Sequence, residues 1–174
     1  RQNKRSNGVG WEGDSASFSE TFFKHEYPTP AFHYDLKRVL KYAQPGTITL
    51  VNVFPNSAKT AVIEDHICET LAQDPNHRFV IASKAQNHAR KLLSTVKDRF
   101  TNLPAYPEFI GRFGPFYVEG QERSGKPWTT DFIKVAKFDS GERDYSVQVM
   151  GWSGQILGSR VDTIILDDIQ TGDN

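Results

Sequence analysis

Apolar runs and amphipathic stretches alternate along the first half of this chain, and they predict strands and helices in turn. Residues 47–53 (TITLVNV) are β-branched and apolar, which predicts a buried strand. Residues 59–73 carry apolar side chains four positions apart and predict a helix. Residues 78–83 then predict a second short strand, and residues 85–100 predict a second helix. The inward positions of this second helix are Ala89, Leu92, Leu93, Val96 and Phe100.

The second half of the chain has a weaker pattern. Residues 101–127 are rich in proline, glycine and aromatic residues, and we expect irregular structure there. Apolar and polar residues alternate at 132–138 and again at 145–150, on either side of a turn at 139–144, which predicts a β-hairpin. Residues 161–166 form a last apolar run and predict another buried strand.

The order of these elements predicts an α/β fold, in which a mainly parallel sheet has helices on both faces and an added β-hairpin. Residues 1–20 are polar and rich in glycine and serine, and predict a flexible lead-in. The aromatic residues and prolines of 22–30 predict an ordered arm on the core, and 34–42 predict a helix. We therefore divide the chain into an N-terminal arm with a lead-in helix at 1–44 and a core at 45–174.

Composition narrows the class of protein. With 174 residues, 37% of them hydrophobic and 24% charged, the chain is typical of one soluble domain. No apolar run approaches the roughly 20 residues of a membrane span, so no membrane is expected. Cys68 is the single cysteine, which excludes an intrachain disulfide and fits a reducing compartment. A formal net charge of zero argues against strong unaided binding to nucleic acid, but it leaves room for a local basic face.

Residues 55–60 lie between the first predicted strand and the first predicted helix, where a phosphate-binding loop sits in nucleotide-hydrolysing α/β domains. Backbone N–H groups of such a loop point at phosphate oxygens, and the helix dipole adds to the attraction. Lys59 would bring a positive charge to the phosphates, and Thr60 would supply a hydroxyl ligand to Mg²⁺. The candidate nucleotide-binding residues are Pro55, Asn56, Ser57, Ala58, Lys59 and Thr60.

The loop departs from the pattern G-x-x-x-x-G-K followed by Ser or Thr. Val53 and Ala58 occupy the two glycine positions. An alanine fits there if its φ is negative or if the backbone accepts modest strain. An ordinary turn with a surface lysine is therefore the alternative interpretation.

Asp167 and Asp168 follow the last apolar run, which places two carboxylates at the edge of a parallel sheet where ligands bind. Asp167 would hold Mg²⁺ through water or through Thr60. Asp168 would orient or deprotonate an attacking water, as a catalytic base does in phosphoryl transfer. A strand end with two solvated acids is the alternative.

Five segments together resemble one protein family: residues 32–36, 55–60, 79–84, 145–148 and 154–168. The last of them (GQILGSRVDTIILDD) is the most specific. From about residue 30 to 170 the chain is similar to the N-terminal ATPase domain of the large terminase of tailed bacteriophages. The resemblance implies a P-loop ATPase core of the ASCE, or RecA-like, type that uses ATP and Mg²⁺.

The resemblance also implies roles for single residues. Lys59 and Thr60 correspond to phosphate and Mg²⁺ binding, Asp167 to the acid that supports Mg²⁺, and Asp168 to the catalytic carboxylate, which is usually Glu in the family. Some relatives carry an arginine in the loop, where this chain has residues 55–57 (PNS). Arg160 is then the candidate charge-neutralising arginine, acting on its own nucleotide or on a neighbour's, and an ion pair with Asp162 or with another acid at the sheet edge is the alternative. For the adenine, the candidates are Gln2, Tyr27 and His33, which could instead pack the arm.

Large terminases hydrolyse ATP to drive double-stranded DNA through a portal into an empty procapsid. The resemblance therefore implies as partners double-stranded DNA, the portal protein, the small terminase subunit and other copies in a homo-oligomeric ring. It implies a location in the host cytoplasm and transiently at the portal, and a monomeric isolated domain. It further implies that the family's coupling motif and nuclease domain are absent from these residues. A helicase-like ATPase that remodels nucleic acid, and a nucleotide-silent module that docks DNA or protein, are the alternatives.

Overall fold

A computed structural model describes residues 13–26, 28–139, 144–152 and 160–169, and they form an α/β fold. The helices are α1 (Ser15–Phe22), α2 (Ala31–Lys41), α3 (Lys59–Gln73), α4 (Gln86–Thr101) and α5 (Pro107–Phe113), with a 3₁₀ turn at Gln121–Ser124. The strands are β1 (Phe79–Ser83), β2 (Phe132–Ile133), β3 (Val147–Gly151) and β4 (Thr163–Asp167).

The four strands form one mixed sheet in the order β2-β3-β1-β4. Strand β1 is central and parallel to both β3 and β4, while β2 pairs antiparallel with β3. At the carboxyl end of the sheet Ser83 lies opposite Gly151 on one side and opposite Asp167 on the other. The prediction of a mainly parallel sheet with a hairpin is therefore confirmed, although the first hairpin strand is only two residues long. Residues 140–143 of the predicted turn lie outside the described residues.

One face of the sheet carries the main hydrophobic core. Phe79 and Ile81 of β1 and Val147 and Val149 of β3 point into it, because alternate residues of a strand share a face. All five inward positions predicted for α4 are buried against this face. Three aromatic rings stack beside α4, with Phe116 centred 4.3 Å from Phe100 and 5.0 Å from Phe109. The core of the fold therefore lies between α4 and the sheet.

The opposite face of the sheet differs from the prediction of helices on both sides. Its buried cluster consists of Val80, Ala82 and Met150 with Val161 packed against it, and no helix of the described chain contributes to it. Ile164 and Leu166, which point to the same face, are 52% and 49% exposed. The prediction that β4 is buried is also wrong, since β4 is an edge strand whose other side has no partner among the described residues.

The predicted buried strand at 47–53 is wrong as well. The segment has no regular secondary structure, and Ile48 and Leu50 are 98% and 89% exposed. A β-branched run becomes a strand only where a neighbouring strand accepts its backbone hydrogen bonds and a packed layer covers its side chains. Neither is supplied to this segment by the described residues, which form a sheet without it.

Helices replace irregular structure in two further regions. Residues predicted as part of a flexible lead-in form α1, which Asp14 caps by accepting the Ser17 N–H at 2.7 Å and which buries Phe18 and Phe22. Residues 1–12 lie outside the described residues. The stretch predicted as irregular contains α5, whose Phe109 and Phe113 are buried. In both cases a few phenylalanines hold a short helix against the core, which periodicity over so few residues does not reveal.

Candidate functional site

The two sequence motifs meet at the carboxyl end of β4. Lys59 Nζ donates a hydrogen bond to Asp168 Oδ1 at 2.6 Å, although 109 residues separate them in the chain. Thr60 Oγ1 donates to Asp167 Oδ2 at 3.3 Å. The structure thus brings a lysine, a hydroxyl and two carboxylates together at the end of the sheet where ligands of α/β proteins bind.

The start of α3 provides backbone donors at the same place. The helix begins at Lys59, and the N–H groups of Lys59 and Thr60 make no hydrogen bond to any described residue. The first turn of α3 contains no acidic side chain. A helix N-terminus of this kind attracts anions because its free N–H groups and its dipole both favour negative charge.

The loop before α3 is held in an unusual conformation. Asn56 and Ala58 have φ values of 59° and 54°, and Asp168 across the site has 49°. For an alanine this left-handed region costs roughly 1–2 kcal/mol, whereas Asn and Asp adopt it more readily. Ala58 occupies the second glycine position of the motif. An alanine there was expected to have either a negative φ or a strained backbone, and Ala58 has the strained one. Strain of this kind persists where the surrounding structure holds it, and it is common at ligand sites.

The charges at the site influence each other. Burial and the neighbouring Asp168 raise the pKa of Asp167, which lowers its tendency to ionise without a cation nearby. The hydrogen bond to Asp168 raises the pKa of Lys59, so that its ammonium form is favoured. Both Lys59 and Asp168 remain accessible, with side chains 34% and 59% exposed. A cation bound near Asp167 would favour the ionised form of this carboxyl group. An anion bound near Lys59 would accept hydrogen bonds from its ammonium group.

A cavity of about 510 Å³ opens beside the loop. Its apolar walls include Phe32 and Phe54, whose ring centroids are 5.3 Å apart. Pro28 and Pro30 of the arm and Asn56, Ser57 and Ala58 of the loop also line it. This size and this mixture of apolar walls with a few polar groups are typical of small-molecule sites.

Two buried hydroxyl groups near the site have no hydrogen-bond partner among the described residues. Ser57 is 5% exposed and lines the cavity, and Ser83 is 1% exposed and lies opposite Asp167 in the sheet. A buried polar atom without a partner is costly, and a bound ligand is one way to satisfy it. Ser83 was not among the predicted site residues, since the burial of a serine at a strand end has no sequence signal.

A buried cluster of charged side chains adjoins the cavity, which His25, Lys37 and Asp65 of this cluster line. Asp65 of α3 is 2% exposed and accepts hydrogen bonds from Lys37 Nζ at 2.8 Å and from Arg99 Nη1 at 2.7 Å. His25 Nε2 lies 2.9 Å from the same carboxylate. Burial raises the pKa of Asp65, but the hydrogen bond from His25 and the charges of Arg99 and Lys37 outweigh burial and hold the pKa well below its usual value. The cluster links the arm, α2, α3 and α4.

Of the other predicted site residues, His33 lines the cavity, whereas Arg160 lies at the opposite end of the sheet. Arg160 precedes β4, whereas Asp167 ends it, and the four steps of this strand span about 13 Å. The backbone N–H of Arg160 donates to Asp144 at 3.2 Å, at the amino end of the sheet. Arg160 is therefore out of reach of Lys59 in the same chain, and its predicted role remains only for a neighbour's nucleotide. Gln2 and Tyr27 lie outside the described residues.

The described part of the chain contains no group of three or more His, Cys, Asp or Glu side chains arranged to hold a metal ion. None of its helices is long and apolar enough to cross a membrane. Comparison with known proteins gives no match, either to a protein-family model or to a curated protein.

Proposed function

We propose that this chain is a Mg²⁺-dependent ATPase with a P-loop core, and that it acts in viral DNA packaging as a large terminase does. The observation that carries the ATPase proposal is the meeting of Lys59 and Thr60 with Asp167 and Asp168 beside the N-terminus of α3. The helix end and the lysine suit a phosphate chain, and the carboxylates suit the metal and the water that phosphate hydrolysis needs.

The cavity supports a nucleotide rather than a free phosphate. It adjoins the loop at Ser57 and Ala58, and its walls carry the rings of Phe32 and Phe54. Aromatic walls suit the flat base of a nucleoside, since planar rings pack favourably against each other. The unsatisfied Ser57 hydroxyl would find its partner in the same ligand.

The residues at the site also fit Mg²⁺. Thr60 and Asp167 offer a hydroxyl and a carboxylate 3.3 Å apart, and Mg²⁺ prefers oxygen ligands of this kind, with water and substrate phosphates completing its shell. Burial and the neighbouring Asp168 raise the pKa of Asp167, and a bound cation would favour its ionised form. Bound Mg²⁺ would neutralise charge on the phosphate oxygens.

The ion pair between Lys59 and Asp168 suggests how the residues divide the work. A phosphate oxygen would accept the hydrogen bonds of Lys59 in place of Asp168, which leaves that carboxylate without its partner. Asp168 would then accept a proton from a water molecule as its oxygen attacks the γ-phosphorus and the bond to the ADP oxygen breaks. Lys59 would stabilise the charge that develops on the transferred phosphoryl group.

The packaging role rests on the resemblance to large terminases. On that proposal the energy of hydrolysis moves double-stranded DNA through a portal protein, with the small terminase subunit and further copies of the chain as partners. Arg160 would then act on the nucleotide of a neighbouring copy. The exposed apolar side chains of Ile164 and Leu166 favour one other candidate, a protein-docking module that binds no nucleotide.

Calorimetric titration of Mg-ATP into the wild-type chain, Lys59→Ala and Lys91→Ala distinguishes the ATPase from the docking module. Lys91 is an exposed lysine on α4 and serves as the matched control for lost charge. We expect Lys59→Ala to bind roughly 10- to 100-fold more weakly, because a hydrogen bond to a charged group is lost, and Lys91→Ala to bind like the wild type. Binding by none of the three proteins would reject the ATPase proposal and leave the docking module.

A further inference from the structure

His33 of α2 makes a contact that the chemistry described above does not use. Its Nε2 lies 2.6 Å from the backbone oxygen of Ser57, 24 residues further along the chain. The imidazole is 8% exposed, so this hydrogen bond is shielded from water. Among the described residues, this is the hydrogen bond that connects residues 54–58 to another element. The other hydrogen bonds of this loop are accepted by Ala58 O from the first turn of α3.

The bonded carbonyl lies at the most constrained point of the loop. Ser57 stands between Asn56 and Ala58, the two loop residues with left-handed φ values. Such a pair of residues relaxes to an ordinary backbone unless the structure around it holds it in place. Rotation of the Ser57–Ala58 peptide would move the N–H groups that begin α3, and with them the donors of the proposed phosphate site.

We propose that His33 is a positioning residue that fixes the phosphate-binding loop through the Ser57 carbonyl; this inference rests on the proposed function. The residue touches no phosphate itself. It keeps the loop in the conformation that binds a nucleotide. Less of the binding free energy is then lost in ordering the loop.

The chemistry of the contact defines which substitutions preserve it. A carbonyl oxygen only accepts, so the imidazole must carry hydrogen on Nε2. Gln places an amide N–H at a similar distance from its Cα and keeps the donor, whereas Asn falls one bond short. Phe keeps the planar ring, which packs edge-on against Phe32 with centroids 4.4 Å apart, but it has no donor.

The test compares wild type, His33→Gln, His33→Phe and His33→Asn by Mg-ATP calorimetry, together with denaturant unfolding of each. We expect His33→Phe and His33→Asn to bind about 3- to 10-fold more weakly and His33→Gln to bind within about 2-fold of the wild type, as expected for one shielded hydrogen bond. A merely structural role would make affinity follow the unfolding free energy of each variant rather than the presence of the donor. Equal affinity of wild type and His33→Phe would overturn the proposal.

A second readout needs no nucleotide and separates this inference from the proposed function. Amide hydrogen exchange at Lys59 and Thr60 in the ligand-free protein reports how firmly the loop holds the start of α3. We expect faster exchange there in His33→Phe than in His33→Gln, with unchanged exchange in the middle of α4. If the wild type bound no nucleotide, the ATPase proposal would fail, and unchanged exchange in His33→Phe would separately reject the positioning role.

Discussion

Asp65 shows at the residue scale how a charge is kept inside this protein. Its carboxylate is 2% exposed and has Lys37, Arg99 and His25 around it. Removing it would leave Lys37, which is 3% exposed, without its buried counter-charge, and Arg99, which is 4% exposed, with only the Glu64 carboxylate at 3.3 Å. The cost of an unpaired buried charge exceeds that of most surface changes.

We therefore predict that Asp65→Ala lowers the free energy of unfolding by about 3–5 kcal/mol. Asp35→Ala is the matched control, because Asp35 pairs with Arg38 at the surface with a 73% exposed side chain, and we expect a change within about 0.5 kcal/mol. Urea unfolding at neutral pH measures both. Equal effects of the two substitutions would contradict the role assigned to the buried cluster.

The same carboxylate predicts a pH dependence. Its pKa in the folded protein lies below the usual 3.8, so its contribution to stability is fully present above about pH 4 and is lost as the pH falls further. The difference in unfolding free energy between wild type and Asp65→Ala should therefore be constant from pH 7 to 5 and shrink below pH 4. A difference that shrinks already between pH 7 and 5 would contradict the assignment of this pH dependence to Asp65.

The pKa of Asp167 is shifted in the opposite direction from that of Asp65. Its pKa is raised in the folded protein, so its ionised form is less favourable there than in the unfolded chain at neutral pH. We expect Asp167→Asn to raise the free energy of unfolding of the ligand-free protein at pH 7 and to weaken Mg-ATP binding. The gain should vanish below pH 3.8, where the carboxyl group is protonated in both states. Thermal unfolding of both proteins at pH 7 and below pH 3.8 measures the change in stability, and its repetition with Mg-ATP measures the change in binding. A lower stability of Asp167→Asn than of the wild type at pH 7 would contradict this prediction.

At the scale of elements, the segment 47–52 carries apolar side chains that are exposed to solvent in the described fold. Ile48→Lys with Leu50→Lys should leave the unfolding free energy within about 0.5 kcal/mol, because both side chains are in water already. Ile81→Ala in β1, which is 0% exposed, should cost about 2–5 kcal/mol. Chemical denaturation of both variants is the measurement. A large cost for the lysine pair would mean that the segment is packed as a strand after all.

The helices and strands differ in how far the sequence predicted them. Helix α3 begins and ends at the predicted residues, and α4 begins and ends one residue later than predicted. Their hydrogen bonds run inside the segment, so the local periodicity contains most of the information. The strand β1 was also predicted to within one residue. The failed strand at 47–53 has equally strong β propensity, but the pairing of a strand is decided by residues far away in the chain.

At the scale of the whole molecule, Arg78 forms ion pairs that connect the amino ends of three parallel strands. Its guanidinium binds both oxygens of Asp162, before β4, at 2.8 Å each, and Asp144, before β3, at 3.2 Å. Each strand end thus has a charged group in a fixed place relative to its neighbours. Because the contact is bidentate and planar, a lysine cannot reproduce it.

We predict that Arg78→Lys loses most of the stability that Arg78→Ala loses, about 1–3 kcal/mol, measured by urea unfolding. Arg38→Lys is the control, since Arg38 makes a single exposed contact to Asp35 and should tolerate the change. Full rescue of stability by lysine at position 78 would show that charge alone, rather than the planar geometry, holds the strand ends.

The sequence by itself determined the α/β class, the long helices and the chemical groups of the candidate site. Helix periodicity is local, and a lysine and threonine before a helix or two aspartates after an apolar run are visible without a structure. The tertiary structure decided that β4 is an edge strand of the described sheet, that 47–53 lies outside this sheet, and that Arg160 lies at the far end from Lys59. It also placed His33 on the Ser57 carbonyl and Asp65 among its cations. These features depend on contacts between residues distant in sequence, and such contacts are set by how layers pack rather than by any short pattern along the chain.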